Sequence, residues 1–315
     1  MNGVNGVHHI TAIAGPAQEN LDFYAGILGM RLVKKSVNQD DPGTYHLFYA
    51  DAAGSPGTDL TFFPWPTMRQ PRRGHGLTSE VGLEIPHGSL AWWADRLRGY
   101  HVATGDPVTR FGDRVLPLTD PHGLELALIE SPADRPRGFE PWQGGPVGPD
   151  HQIRGLHGAR AIERDAGATV NFLTTVLGFQ RLGSEGGWTR FGFRTSPGVL
   201  DLMERTDLPR GAWGVGAVHH LAWRVDDEAH ERAVRQRVAD AGGRPTEVID
   251  RFWFRSVYFL EPGGVLFEIA TDGPGFGIDE DAAHLGEKLV LPPFLEGQRA
   301  EIERALPDLK APSVV

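Results

Sequence analysis

Two histidine pairs and one glutamate are the residues of this chain best suited to do chemistry. The pairs are His8–His9 in "GVHHITAIAG" (6–15) and His219–His220 in "AVHHLAWRVD" (217–226); the glutamate is Glu268 in "PGGVLFEIA" (262–270). Each lies in an apolar, strand-like run. Two imidazoles and a carboxylate on one face of an ion leave adjacent positions open, the donor set of non-haem Fe(II) oxygenases. These donors suit Fe(II) or Mn(II). The chain has no cysteine, which excludes sulfur-ligated zinc, iron–sulfur clusters, disulfides and thiolate nucleophiles. An unpaired carboxylate in "VLFEIA" would cost several kcal/mol or take a strongly raised pKa, so a cation is expected opposite Glu268. The residues leave open which member of each pair takes part. Side chains alternate along a strand, so the two imidazoles of a pair are expected on opposite faces.

The elements that must hold these residues come from a repeat. "LDFYAGILGMRL" (21–32) and "VNFLTTVLGFQRL" (170–182) read as amphipathic helices ending in Leu-Gly, with Phe23/Phe172 and Gly29/Gly178 at a constant offset of 149. Glycine suits the left-handed position that ends a helix. "LTDPHGLELALIE" (118–130) and "FLEPGGVLFEIA" (259–270) are acidic-Pro-x-Gly turns leading into strands, at an offset of 141. The chain therefore divides into four similar units near 5–65, 76–130, 151–205 and 216–271, each ordered strand, helix, strands. Helices are expected over 18–28, 89–98, 166–177 and 227–241. Chain order groups the units as 1–130 and 151–271, with a Pro- and Gly-rich linker over 131–150. The tail, 272–315, is expected to pack on the outside with one helix over 295–306. The fold class is α+β, four βαβββ units paired into two curved half-barrel sheets.

Four such units, with "HH" on a first strand and "PGGVLFEIA" on a last one, resemble the vicinal oxygen chelate superfamily of glyoxalases, bleomycin and fosfomycin resistance proteins and extradiol dioxygenases. More narrowly, "VHHITAIAGPAQENLDFYAGILGMRLVKKSVNQDD", "YHLFYAD" and "RFWFRSVYFLEPGGVLFEIA" resemble the branch that opens hydroquinones and chlorohydroquinones. The resemblance runs from Gly6 to about Asp272. It implies metal ligands at His9, His220 and Glu268, a Tyr and an Arg in or near the pocket at Tyr258 and Arg251, and supporting residues at His8, Thr11 and His219. It also implies Fe(II), with Mn(II) as the other candidate, and a small aromatic diol and O2 as substrates. The repeat agrees on one point: at the offset of 149, His9 corresponds to Gly158, which offers no ligand. Phe62, Ala127 and Met203, the last-strand equivalents of Glu268, cannot ligate either. A rival set, His157 with His220 and Glu268, would place the site wholly in the C-terminal half.

Other classes fit less well. A glyoxalase-like isomerase or transferase would want a fourth ligand, for which Glu80 is the candidate. A non-catalytic aromatic-binding protein would leave Glu268 unexplained. The net charge of −10 and pI near 5.7 argue against nucleic acid. No apolar run spans a bilayer and no signal peptide is read, so a cytoplasmic protein is expected; a homo-oligomer is compatible with the repeat. Of the aromatic residues, Trp92, Trp93, Trp188, Trp213 and Trp223 are expected mainly in the core, while Phe252, Trp253 and Phe254 flank Arg251. His46 and the remaining histidines lack partner spacing and are expected at the surface or in turns.

Overall fold

The computed structural model describes residues 3–132, 137–193 and 196–313; four linker positions, 133–136, lie outside the described residues. Sixteen strands form two mixed eight-stranded sheets. The first unit supplies β1 (Val7–Ala14), β2 (Arg31–Asn38), β3 (Asp41–Ala50) and β4 (Asp59–Pro64); the fourth supplies β13 (Val218–Val225), β14 (Ile249–Asp250), β15 (Arg255–Leu260) and β16 (Leu266–Thr271). These eight make one sheet in the order β14-β15-β16-β13-β1-β4-β3-β2. The second and third units make the other. Grouping by chain order therefore does not match the sheets: the first unit is hydrogen-bonded to the fourth, through antiparallel β1 and β13. Every residue of β1 is buried, as expected for a central strand covered on both faces.

The helices lie where their patterns place them. The first, Ala17–Leu21, widens into a looser turn over Asp22–Ile27 and stops at Gly29. Gly29 has φ +69°, and a Cβ there would sit 2.5 Å from Val147, so no other residue fits without displacement. Gly178 ends the equivalent helix Gly167–Thr175 at φ +80°. The helix Glu228–Asp240 is capped by Asp227, whose side chain accepts from the backbone N–H of His230.

The tail departs from expectation. Its helix Arg299–Ala305 does lie outside, but Phe276 and Leu285 pack with Val33, Phe48, Trp253 and Phe254 in a second apolar cluster on the first sheet. The fully buried Lys34 fastens this segment. Its Nζ donates to Asp279 Oδ1 at 2.7 Å, to the Phe276 carbonyl at 3.2 Å and to Glu280. Asp279 also accepts from Trp253 Nε1 at 2.9 Å. Removing one partner of a buried pair leaves the other uncompensated. Lys34→Ala should therefore cost about 3 kcal/mol in urea unfolding, while Arg98→Ala, which breaks only an exposed pair with Asp95, should cost under about 1 kcal/mol.

A second buried acid marks the turn before β16. Glu163 has no solvent exposure, and a Cβ on Gly263 would lie 1.6 Å from its Oε2, which explains glycine there. Burial first, and then the neighbouring Glu261, push the Glu163 carboxyl up from 4.5 to about 9. The folded chain then keeps a proton that the unfolded chain releases, so this group's contribution to stability falls as pH rises between those values. Tm measured from pH 5 to pH 9 should fall less steeply, by several degrees, in Glu163→Gln than in the wild type.

Candidate metal centre

Three side chains from three strands converge on the concave face of the first sheet: His9 on β1, His220 on β13 and Glu268 on β16. His9 Nε2 lies 3.1 Å from His220 Nε2 and 3.3 Å from Glu268 Oε2, and His220 Nε2 lies 2.9 Å from the same oxygen. All three residues are buried, Glu268 completely. Among the described residues this is the one cluster of three such ligand atoms, all within 4.8 Å of one another. Glu268 Oε1 accepts from Ser256 Oγ at 2.5 Å, whereas Oε2 has no conventional hydrogen-bond donor. Burial would raise the Glu268 carboxyl, but His9 and His220 outweigh it and hold the pKa well below the usual range. The group is thus an anion aimed, with two imidazole nitrogens, at one point. That donor set fits a divalent ion.

Both histidine pairs sit on β-bulges. Along β1, Val7 pairs with Trp223 but His9 with Ala222, so His8 is the extra residue; along β13, Thr11 pairs with His220 but Ala12 with Val218, so His219 is the extra residue. A bulge interrupts alternation and re-aims side chains. The imidazoles of a pair are consequently neighbours, and the expectation of opposite faces is corrected. His8 Nδ1 is 2.9 Å from His9 Nδ1, and His219 Nδ1 is 2.8 Å from His220 Nδ1.

The first pair has a determined polarity. His8 Nε2 lies 3.1 Å from the Thr271 carbonyl, which can only accept, so Nε2 of His8 carries the proton. Burial first, then His9, push His8 down to about 3, so it stays neutral and its Nδ1 accepts. His9 must then donate from Nδ1, which leaves Nε2 as the atom it turns toward Glu268. His219, also pushed to about 3 by burial and then by His220, stacks on Trp213 with ring centres 4.4 Å apart.

The other expected residues divide between the cavity and the sheet. Tyr258 pairs directly with Glu268 across β15 and β16; burial, then Glu268, raise its hydroxyl pKa. Arg251 lies 5.4 Å from the Tyr258 ring centre, but its guanidinium donates to Asp40 at 2.8 and 3.3 Å rather than to His8, Thr11 or His219. Thr11 bonds Thr61, Oγ1 to Oγ1 at 2.7 Å. Between Arg251 and Trp253, Phe252 adopts φ +73°, a conformation costing roughly 1–2 kcal/mol. The bend turns Arg251, Trp253 and Phe254 into the wall of a cavity that also includes His9, His220 and Tyr258. His46, Phe48 and Phe63 line it too, with Asn38, Gln39 and Asp40. The expectation of His46 at the surface or in a turn is corrected, since it lies on β3 and faces the cavity; the alternation of "YHLFYAD" opposite "LTFFP" is its only signal in the sequence.

The second sheet keeps the bulges and loses the site. His157 and Ser79 are its extra residues, equivalent to His8 and His219. Gly158, at the His9 position, has φ +156°, and a Cβ there would lie 2.0 Å from the Val199 carbonyl oxygen. Glu80 is bound by Arg110 at 2.6 Å, Arg190 by Asp113 at 2.9 Å and Asp201 at 2.8 Å. His157, 3.8 Å from Asp113, is on the wrong sheet for the rival set, and Glu80 is too, so it supplies no fourth donor.

Comparison with known proteins follows the same pattern. The family model described as glyoxalase/bleomycin resistance protein/dioxygenase superfamily matches residues 6–162 and 155–269. The Bacillus subtilis protein named "Putative ring-cleaving dioxygenase MhqO" is 42% identical over 301 residues, 96% of this chain and 95% of its own. The Sphingobium indicum "Chlorohydroquinone/hydroquinone 1,2-dioxygenase" is 34% identical, covering 97% of each. A crystal structure of a "putative dioxygenase" from Bacillus subtilis superposes with a TM-score of 0.93 at 41% identity, covering 99% of both chains.

The hydrogen-bond polarity is open to direct measurement. In ¹⁵N NMR of the metal-free protein near pH 7, His9 should show a protonated Nδ1, and His8→Phe should abolish that signal or shift it by tens of ppm. An unprotonated His9 Nδ1 in the wild type would refute the assignment.

Proposed function

This chain belongs to the glyoxalase/bleomycin resistance protein/dioxygenase superfamily, and from that premise we infer that it is an aromatic ring-cleaving dioxygenase. We propose further that its ion is Fe(II), with Mn(II) as the alternative, held by His9 Nε2, His220 Nε2 and Glu268 Oε2. We also propose that its substrate is a hydroquinone-type diol, with a catechol as the second choice. The observation that carries this reading is the convergence of two imidazole nitrogens, His9 Nε2 and His220 Nε2, on one oxygen of a fully buried Glu268. When bound, such an ion supplies Lewis acidity and the one-electron chemistry by which a diol reacts with O2.

The chain's own groups then have distinct tasks. Loading the ion displaces protons that otherwise lie between the imidazoles and Glu268. His8 holds His9 through Nδ1, and His219 does the same for His220, so that both Nε2 atoms stay aimed at one point. Phe48, Phe63, Trp253 and Phe254 exclude water and sandwich a single planar ring. The Tyr258 hydroxyl, kept protonated by burial and by Glu268, can donate to a substrate oxygen that gains negative charge. The fixed charge of Arg251 behind it favours the same anion. The cysteine-free, acidic composition supports a cytoplasmic setting.

Anaerobic metal titration and oxygen uptake test the reading. The wild type should bind one Fe(II) or Mn(II) per chain and consume O2 when given hydroquinone. His9→Ala and Glu268→Ala should lose metal and fall to background uptake, while His157→Ala keeps both. A wild type that binds no metal, or metal retained without His9 and lost without His157, would overturn the proposal.

A further inference from the structure

His46 is an imidazole of the cavity wall that the tasks above leave without a role. It lies on β3 with its ring between Phe48 and Phe63, centres 3.8 and 4.4 Å away. Nε2 is 2.9 Å from Thr61 Oγ1, and Thr61 Oγ1 is 2.7 Å from Thr11 Oγ1. Both threonines are fully buried, and Thr11, Thr61 and Phe48 stand in one register across β1, β4 and β3. The ring is therefore held on two faces and at one nitrogen. Among the described residues Nδ1 has no hydrogen-bond partner, yet it is not among the buried polar atoms sealed from solvent. Because His46 lines the cavity, Nδ1 is the edge left to a ligand.

The charge around it defines what that edge can do. Burial first, followed by His9, His220 and Arg251, disfavours the imidazolium, so His46 stays neutral. When Nε2 donates to Thr61, Nδ1 presents a lone pair. A neutral acceptor in the wall of the cavity that also holds His9 and His220 suits a substrate with two separated hydroxyls, one at the ion and one away from it. Of the other polar groups on the wall, Arg251 cannot accept, Asp40 is engaged by Arg251, Asn38 by the Asp40 N–H and Gln39 by the Arg251 carbonyl, and the Tyr258 hydroxyl has Ser256 and Arg251 beside it. We propose that His46 Nδ1 accepts the hydrogen bond of the substrate hydroxyl that is not at the metal, making His46 the residue that selects a diol over a monohydric phenol. The proposal rests on the metal site and substrate class inferred above.

Three substitutions separate this role from packing. In His46→Phe the ring is kept and both nitrogens are lost; in His46→Gln a polar atom remains near Nε2 but none at Nδ1; in His46→Asn an acceptor remains near Nδ1. Metal content is measured first in each, then anaerobic binding of hydroquinone and of phenol to the Mn(II)-loaded protein by calorimetry, then kcat and KM for hydroquinone. All three should bind metal as the wild type does. His46→Phe and His46→Gln should weaken hydroquinone binding about tenfold or more while changing phenol binding less than about threefold, and His46→Asn should recover most of the difference. Hydroquinone binding unchanged in His46→Phe and His46→Gln, or equal losses for hydroquinone and phenol, would overturn the assignment. A wild type that takes up metal but shows no preference for hydroquinone over phenol would also overturn it. Failure of the wild type to bind metal would instead remove the reading on which the assignment depends. Should His46→Phe fold poorly, the contrast between His46→Gln and His46→Asn reads the same quantity.

Discussion

A carboxylate cut off from water must meet positive charge or remain protonated, and Glu268 is held ionised in the middle of a sheet. That requirement organises everything near it. Two imidazoles face it from β13 and β1, Ser256 satisfies one of its oxygens, and the other lies against the two imidazole nitrogens. Strands β1 and β13 come from opposite ends of the chain, so the electrostatic need of one side chain is met only when the first and fourth units pair. Folding of the whole chain is thereby a condition for assembling the site.

The backbone device that makes this work is the bulge. A regular strand would send His8 and His9 to opposite faces and leave each imidazole to find its own partner. One extra residue brings them side by side, so that one histidine faces the carboxylate while its neighbour fixes the ring by a hydrogen bond. The same device recurs at His219, and again at His157 and Ser79 in the second sheet. Bulges are thus a property of the repeated unit. The chemistry is a property of the residues that occupy them. In the second sheet a glycine pressed against the Val199 carbonyl replaces the ligand, and Arg110, Arg160 and Arg190 neutralise Glu80, Asp113 and Asp201. In that half the carboxylates are balanced by arginines.

The cavity is built from the other direction. Trp253 and Phe254 form its wall because the strained turn at Phe252 presents them, and the tail anchored on Lys34 backs them with Phe276 and Asp279. An apolar wall lowers the local dielectric, which strengthens the interactions at Glu268 and makes each polar group on the wall consequential. Tyr258, Arg251 and His46 are among those groups, and each faces the cavity with a different hydrogen-bonding capacity.

Residue type and spacing determined much of this in advance. The fourfold repeat, the curved half-barrel sheets and the helices followed from glycine positions and hydrophobic period, because those signals are local. The two histidine pairs and Glu268 stood out because a charged or imidazole side chain in an apolar strand needs a partner wherever the strand lies, while the choice of His9 and His220 within the pairs came from the family resemblance. Tertiary structure decided what depends on register between distant segments. It joined the first unit to the fourth in one sheet, set the bulges that turn each histidine pair to one side, and paired Arg251 with Asp40. It also brought the tail onto the cavity face and His46 into the wall. None of these has a local signature, since hydrogen-bond register between strands some two hundred residues apart is fixed by packing of the whole sheet and not by either strand alone.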